Sequence, residues 1–160
     1  MLTHPVKPIF DKNSKTLILG TFPSVKSREV CFFYGHPQNR FWPVMARICN
    51  SKTPETIEDK TNLILSNNFA LWDVIHSCEI EGSSDSSIKN VVPNDISIIL
   101  KETQVDRIFV NGKKAESLYK KYIEKNIGIK AIYLPSTSPA NASWSVDDLA
   151  EFWKKQIFGE

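Results

Sequence analysis

Ten residues, Tyr34-Gly-His-Pro-Gln-Asn-Arg-Phe-Trp-Pro43, gather aromatics, a carboxamide, an arginine and a histidine into one short stretch. A second unusual stretch, Gly20-Thr-Phe-Pro-Ser24, follows an apolar run, and a third, Pro135-Ser-Thr-Ser-Pro-Ala-Asn141, lies far downstream. Together they offer π-faces, amide donors and acceptors, but little strong acid or base. Several chemistries are disfavoured. There is no Gly-x-Ser-x-Gly elbow and no cysteine in a recognisable nucleophile signature. A Walker phosphate loop is missing, and no Gly-x-Gly-x-x-Gly follows the first apolar run. The three histidines are too scattered to suggest a metal site, so neither metal nor cofactor is expected. What remains suits a reaction whose barrier falls through geometry and electrostatics. Cleavage of an N-glycosidic bond is of that kind, because the sugar becomes cationic while the base leaves as an anion. A carboxamide can then hold the attacking water, and backbone donors can meet the departing charge.

Such residues need a frame. Thr16-Leu-Ile-Leu-Gly20 is a continuous apolar run ended by glycine, the pattern of a strand buried on both faces. Phe69–Ile75, Arg107–Gly112 and Lys130–Leu134 read as three more strands. Between them, Phe41, Val44, Met45, Ile48 and Cys49 recur at helical spacing, with Pro43 tolerated in the first turn. Thr53-Pro54 opens a helix carrying Ile57, Thr61, Ile64 and Leu65, and Asp95 caps a short helix through Leu100. Ala115, Leu118, Tyr119, Tyr122 and Ile123 share one face of another. Ser145 and Asp148 have capping-box spacing ahead of Leu149, Phe152, Trp153 and Ile157. Gly82-Ser-Ser-Asp-Ser-Ser87 and Val91–Asn94 read as loop.

Alternating strands and helices predict an α/β fold: a three-layer α/β/α domain over residues 1–160 with a four-stranded, mainly parallel sheet. Ligands of such sheets bind beyond the carboxyl ends of the strands. The four strand exits here, at Gly20–Ser24, Asp73, Asn111-Gly112 and Pro135–Asn141, are all polar or turn-forming, so the unusual residues converge at one end.

Composition fits a single globular domain of 160 residues, 41% apolar and 24% charged. A net charge of +2 permits nucleic-acid binding without arguing for it. Three widely spaced cysteines with no Cys-x-x-Cys pair suggest a reducing compartment. No apolar leader and no run of about 18 apolar residues is present. A cytoplasmic protein is expected, nuclear if the source is eukaryotic.

Gly20-Thr-Phe-Pro-Ser24, Tyr34-Gly-His-Pro-Gln-Asn-Arg-Phe-Trp42 and Ser136-Thr-Ser-Pro-Ala-Asn141 resemble the motifs of the uracil-DNA glycosylase superfamily, most closely its hypoxanthine-DNA (deoxyinosine) branch. The mismatch-specific uracil glycosylases share the His-Pro-x-Asn-Arg-Phe-Trp core. The resemblance implies a monofunctional glycosylase of base excision repair. It would flip a deaminated base, chiefly hypoxanthine, out of DNA and hydrolyse its glycosidic bond as a monomer. A mismatch-specific uracil glycosylase is the first alternative, and a non-catalytic module binding nucleotides or damaged DNA is the second.

The resemblance also assigns residues. Asn39 matches the water-positioning asparagine, although asparagine there could equally cap the next helix. Much of the superfamily has Asp or Asn where this chain has Phe22, so water activation falls to Asn39. Tyr34 matches the aromatic that stacks on the flipped base, with core packing as its rival role. Phe22 would close the opposite wall. Asp73 could accept from hypoxanthine N1–H, or merely cap a loop; Asn111 could read the base, or serve a turn. Ser136 replaces a leaving-group stabiliser of uracil-specific relatives. Ser24, Arg40, Ser138, Pro139, Ala140 and Asn141 fall where the duplex is gripped. Ala140 replaces a bulky wedge, which leaves Asn141 or Trp144 for that role.

Overall fold

A computed structural model describes residues 1–159. Fourteen elements are named in chain order, beginning with β1 (Leu2–Thr3), β2 (Thr16–Gly20), α1 (Val25–Val30), α2 (Phe41–Ile48) and α3 (Ile57–Ser66). Next come β3 (Phe69–Asp73), β4 (Ile75–Glu79), β5 (Lys89–Pro93) and α4 (Ser97–Glu102). The remainder is β6 (Arg107–Asn111), α5 (Lys113–Tyr122), α6 (Glu124–Ile127), β7 (Ala131–Leu134) and α7 (Val146–Phe158). Among the described residues no helix is long and apolar enough to cross a membrane.

The expected α/β/α architecture is what folds. Its central sheet runs β3-β2-β6-β7, every pairing parallel. Leu17, Ile18 and Leu19 have no exposed surface, because helices cover both faces of the sheet. The chain leaves β2 to one side for β3 and crosses to its other side for β6. The strand order therefore reverses at β2, where α/β sheets open a crevice beyond their carboxyl ends. Register does the rest. Gly20 sits opposite Asp73 and Asn111 opposite Leu134, so the last residues of all four strands share one rim.

Two expectations in this region need correcting. Phe69–Ile75 is not one strand: it breaks at Val74, and Ile75–Glu79 joins a separate antiparallel sheet ordered β1-β4-β5. The break is fixed by hydrogen bonds rather than by a turn motif. Val74 N–H donates to Gly20 O at 2.8 Å, and Asn94 Nδ2 donates to the carbonyls of Asp73 and Ile75 at 2.8 and 3.1 Å. Val91 to Pro93, expected as loop, belongs to β5. As an edge strand it tolerates Pro93, which has no N–H to donate.

The helices follow their apolar spacing. Pro43 lies in the first turn of α2, and the Ser145–Asp148 capping box closes in both directions at 3.0 and 3.2 Å. α3 starts later than expected, capped by Thr56, and buries Leu63 and Ile64 while Ile57 stays 53% exposed. α1 and α6 are short helices without an apolar stripe long enough to read.

Trp153 ties α7 to the loop after β7. It is fully buried, packs edge-on against Phe41 at 5.9 Å, and donates from Nε1 to Pro135 O at 3.0 Å. Trp153→Ala should lower unfolding stability in urea by about 3–5 kcal/mol. Trp153→Phe, which removes chiefly the hydrogen bond, should cost about 1 kcal/mol. Equal midpoints for the two variants would contradict this division.

Candidate active site

Beyond the ends of β2, β3 and β6 lies a cavity of about 510 Å³, within the range of about 300–1,000 Å³ usual for ligand pockets. Phe22, Tyr34, Asn39, Asp73, Asn111 and Ser136 all line it. So do Ser24, Ser138, Pro139 and Ala140 from the expected duplex-facing set, whereas Arg40 and Asn141 stand outside the lining.

The floor is built around Gly20. A β-carbon there would collide with Asp73 Oδ1 and come within 2.7 Å of the Tyr34 hydroxyl, so only glycine lets those two groups approach. Asp73 is 4% exposed. Its Oδ2 accepts from His4 Nε2 at 2.7 Å, while Oδ1 has no protein partner among the described residues. Tyr34 holds a left-handed backbone, φ 52°, which an aromatic residue adopts only when its surroundings fix it. Those surroundings are Phe41, stacked at 4.0 Å and 17°, and Asn111 Nδ2, which donates to the hydroxyl at 3.3 Å. Burial first, and the Asp73 charge second, hold the phenol far above its ordinary pKa. It therefore stays protonated, with its own O–H free to donate. One ring face is already covered by Phe41.

Asn39 has both of its expected roles open to it. Its Oδ1 accepts from Phe41 N–H at 2.9 Å, satisfying the first amide of α2 from one residue before the Arg40 N-cap, and this fixes which way the amide points. Nδ2 and the second Oδ1 lone pair have no protein partner among the described residues, and the residue lines the cavity. Phe22 forms a wall, edge-on to His4 at 5.8 Å with the Arg28 guanidinium 5.7 Å from its ring centre. Ser24 caps α1 by accepting from Ser27 N–H at 3.2 Å.

Three expected contacts are redirected inward. Arg40 turns toward the loop after β7. Its guanidinium donates to the carbonyls of Thr137 at 3.4 Å, Ser138 at 2.6 Å, Asn141 at 3.0 Å, and Trp144. Asn141 spends its Nδ2 on Ser136 O at 2.9 Å, bracing the same loop. Asn111 donates to Tyr34 and to Thr137 Oγ1, and its Oδ1 takes the Thr137 N–H at 3.1 Å, which leaves one lone pair for a ligand. Trp144 packs edge-on against Phe152. Ser136 and Ser138 accept from amides two residues on, at 3.1 and 3.2 Å, giving the loop two serine turns.

Sequence inspection misses three participants. Thr137, fully buried, is the node joining Arg40 and Asn111. His4 reaches Asp73 from the N-terminal segment. Ser83, Ser84, Asp85 and Ser86 form the far lip of the cavity, tied to α1 by Val25 N–H on Ser83 Oγ and Arg28 on Gly82 O. Thr137 sits inside a motif already singled out; the other two carried no local signal.

A parallel sheet whose strand order reverses at a crevice walled by aromatics, amides and the carboxylates of Asp73 and Asp85 defines the α/β class of this protein. The sequence matches the uracil DNA glycosylase superfamily over residues 8–156, and the chain belongs to that family. A hypoxanthine DNA glycosylase of Methanosarcina acetivorans is 32% identical over 155 residues, covering 95% of this chain and 96% of that one. One from Methanosarcina barkeri is 30% identical over 136 residues, covering 84% and 85%. A Methanosarcina acetivorans protein solved by solution NMR, provisionally assigned as a uracil DNA glycosylase, superposes with a TM-score of 0.82 at 31% identity, over 99% of this chain and 97% of that one.

The Arg40 clamp is open to test. A lysine ammonium is a point charge and cannot serve four diverging carbonyls. Arg40→Lys should lower stability by about 2 kcal/mol or more and raise amide hydrogen exchange across residues 136–144. Unchanged exchange in that loop would show the clamp to be dispensable.

Proposed function

We propose that this chain is a monofunctional DNA glycosylase that excises deaminated bases, chiefly hypoxanthine from deoxyinosine, by flipping the nucleotide and directing water at its sugar carbon. The observation that carries this is the free Asp73 Oδ1 beside the protonated Tyr34 hydroxyl on the cavity floor. Deamination of adenine changes N1 from a bare lone pair into an N–H and replaces the 6-amino group with a carbonyl. An ionised acceptor beside a hydroxyl donor matches N1–H and O6 of hypoxanthine. The same pair meets adenine with a lone pair against a carboxylate. The names of the two Methanosarcina relatives point the same way.

Catalysis then needs little acid–base strength. As the glycosidic bond stretches, the sugar becomes an electrophile that water can attack without a strong base. Asn39 supplies a fixed acceptor and donor for that water, held by its bond to Phe41 N–H. The departing base carries negative charge near Asp73, a disadvantage that the hydroxyls of Tyr34, Ser136 and Ser138, each with an O–H left to donate, offset. No lysine lines the cavity among the described residues, which favours simple hydrolysis over an amine-linked intermediate. Burial also pushes the Cys49 thiol up to about 11, and it stands outside the cavity.

Uracil also presents an N–H between two carbonyls, and the NMR structure's provisional assignment keeps that substrate in view. Duplexes carrying a single inosine, uracil or xanthine, scored for alkali-labile abasic sites, separate the two. Inosine should be processed fastest; turnover of uracil alone would overturn the assignment. Asn39→Ala should slow single-turnover excision by on the order of 10²-fold or more without loss of fold. A full rate in that variant would remove Asn39 from the mechanism.

A further inference from the structure

Asp73 can act as a selective acceptor only if its carboxylate is both ionised and aimed, and the residue arranging this comes from far away in the chain. β1 pairs antiparallel with β4, Leu2 opposite Cys78 and Thr3 opposite Ser77, and His4 N–H extends the ladder to His76 O at 2.7 Å. This pairing lays the His4 side chain, only 2% exposed, behind Asp73. The ring is held between Phe22 at 5.8 Å and Phe33 at 6.1 Å.

The tautomer follows from the hydrogen bonds. Val6 N–H donates to Nδ1 at 3.1 Å, so Nδ1 must offer a lone pair and cannot carry a proton. The single ring proton is then on Nε2, which donates to Asp73 Oδ2 at 2.7 Å. The pair is a neutral imidazole on an anionic carboxylate. It fixes direction without cancelling charge, unlike an ion pair. Oδ2 is occupied and the Asp73 carbonyl is pinned by Asn94, so Oδ1 is the one oxygen left facing the cavity.

We propose that His4 is a positioning residue for base selection: its Nε2–H locks Asp73 as an anionic acceptor whose Oδ1 demands an N–H donor from the flipped base. This rests on the assignment of Asp73 to the base edge. Without His4, Oδ2 is a buried acceptor that has lost its donor, and the carboxyl is free to rotate so that no oxygen is held against the N–H of the base.

The test compares His4→Phe, which keeps ring volume but has no donor, with His4→Gln, whose amide N–H can occupy the place of Nε2–H. Thermal melts confirm that both are folded. Single-turnover release of hypoxanthine should fall about tenfold to a hundredfold in His4→Phe and recover most of the way in His4→Gln. A second readout uses binding to duplexes containing an intact, non-hydrolysable deoxyinosine analogue or a stable abasic analogue. Affinity for the inosine duplex should drop in His4→Phe, while affinity for the abasic duplex, which has no base to read, should hold. A His4 that merely anchors the N-terminal segment would weaken both duplexes alike, and that result overturns the proposal, as does an unchanged excision rate. Wild-type protein inert on inosine would instead bring down the functional assignment itself, and this inference with it.

Discussion

Arg40 turns its guanidinium away from solvent and into a ring of carbonyl oxygens, and the site has its shape because of it. The bonds run from the residue just before α2 to the loop after β7, so the segment presenting Asn39 and the segment presenting Ser136 to Ala140 move as one piece. The backbone makes the same connection, Arg40 N–H to Thr137 O at 3.0 Å. A loop of this composition would otherwise leave several carbonyls turned inward without donors, each costing about 1–3 kcal/mol. Charge-assisted donation satisfies them with one side chain. Thr137 then passes the constraint to Asn111, and Asn111 passes it to Tyr34.

The brace leaves the floor free to be electrostatically lopsided. One carboxylate, one neutral imidazole and one protonated phenol meet over a glycine, and among the described residues no lysine or arginine pairs with that carboxylate. Recognition and leaving-group chemistry pull against each other in such a pocket. A negative acceptor favours a base bearing an N–H, yet opposes the anion formed as that base departs. Asp73 stands at the rim of β3, while the serine hydroxyls of the loop after β7 stand on a different wall of the cavity.

The α/β frame was legible because its signals are local. Thr16–Gly20 announces a buried strand by its own composition, and the helix after Asn39 announces itself by apolar spacing. The break at Val74 and the small sheet were not legible. Nothing in Phe69–Ile75 marks a strand's end, since the kink is made by Gly20 O and Asn94, supplied from elsewhere in the chain. The contacts of Arg40 are illegible for a related reason. A basic residue in a nucleic-acid motif suggests phosphate, whereas its actual partners are backbone carbonyls, which have no sequence signature. His4 lies 69 positions from Asp73, and a lone histidine in an N-terminal segment gives no hint of its partner. Where a motif carried them, most of the residues singled out do line the cavity, and Asn111 shows how little lining alone says. It reaches the cavity, but most of its amide is used by the protein.

Gly20 gives the pocket an unusual mutational profile. Most binding sites are tuned by what their side chains add; this floor is defined by an atom that must be missing. No smaller residue exists, so position 20 can change in one direction only, and every change fills the space shared by Asp73 and Tyr34. Neighbouring walls such as Phe22 or Ala140 can be enlarged or trimmed and the opening reshaped by degrees. The floor has no such intermediate settings. Drift in what the pocket accepts must therefore enter through its walls.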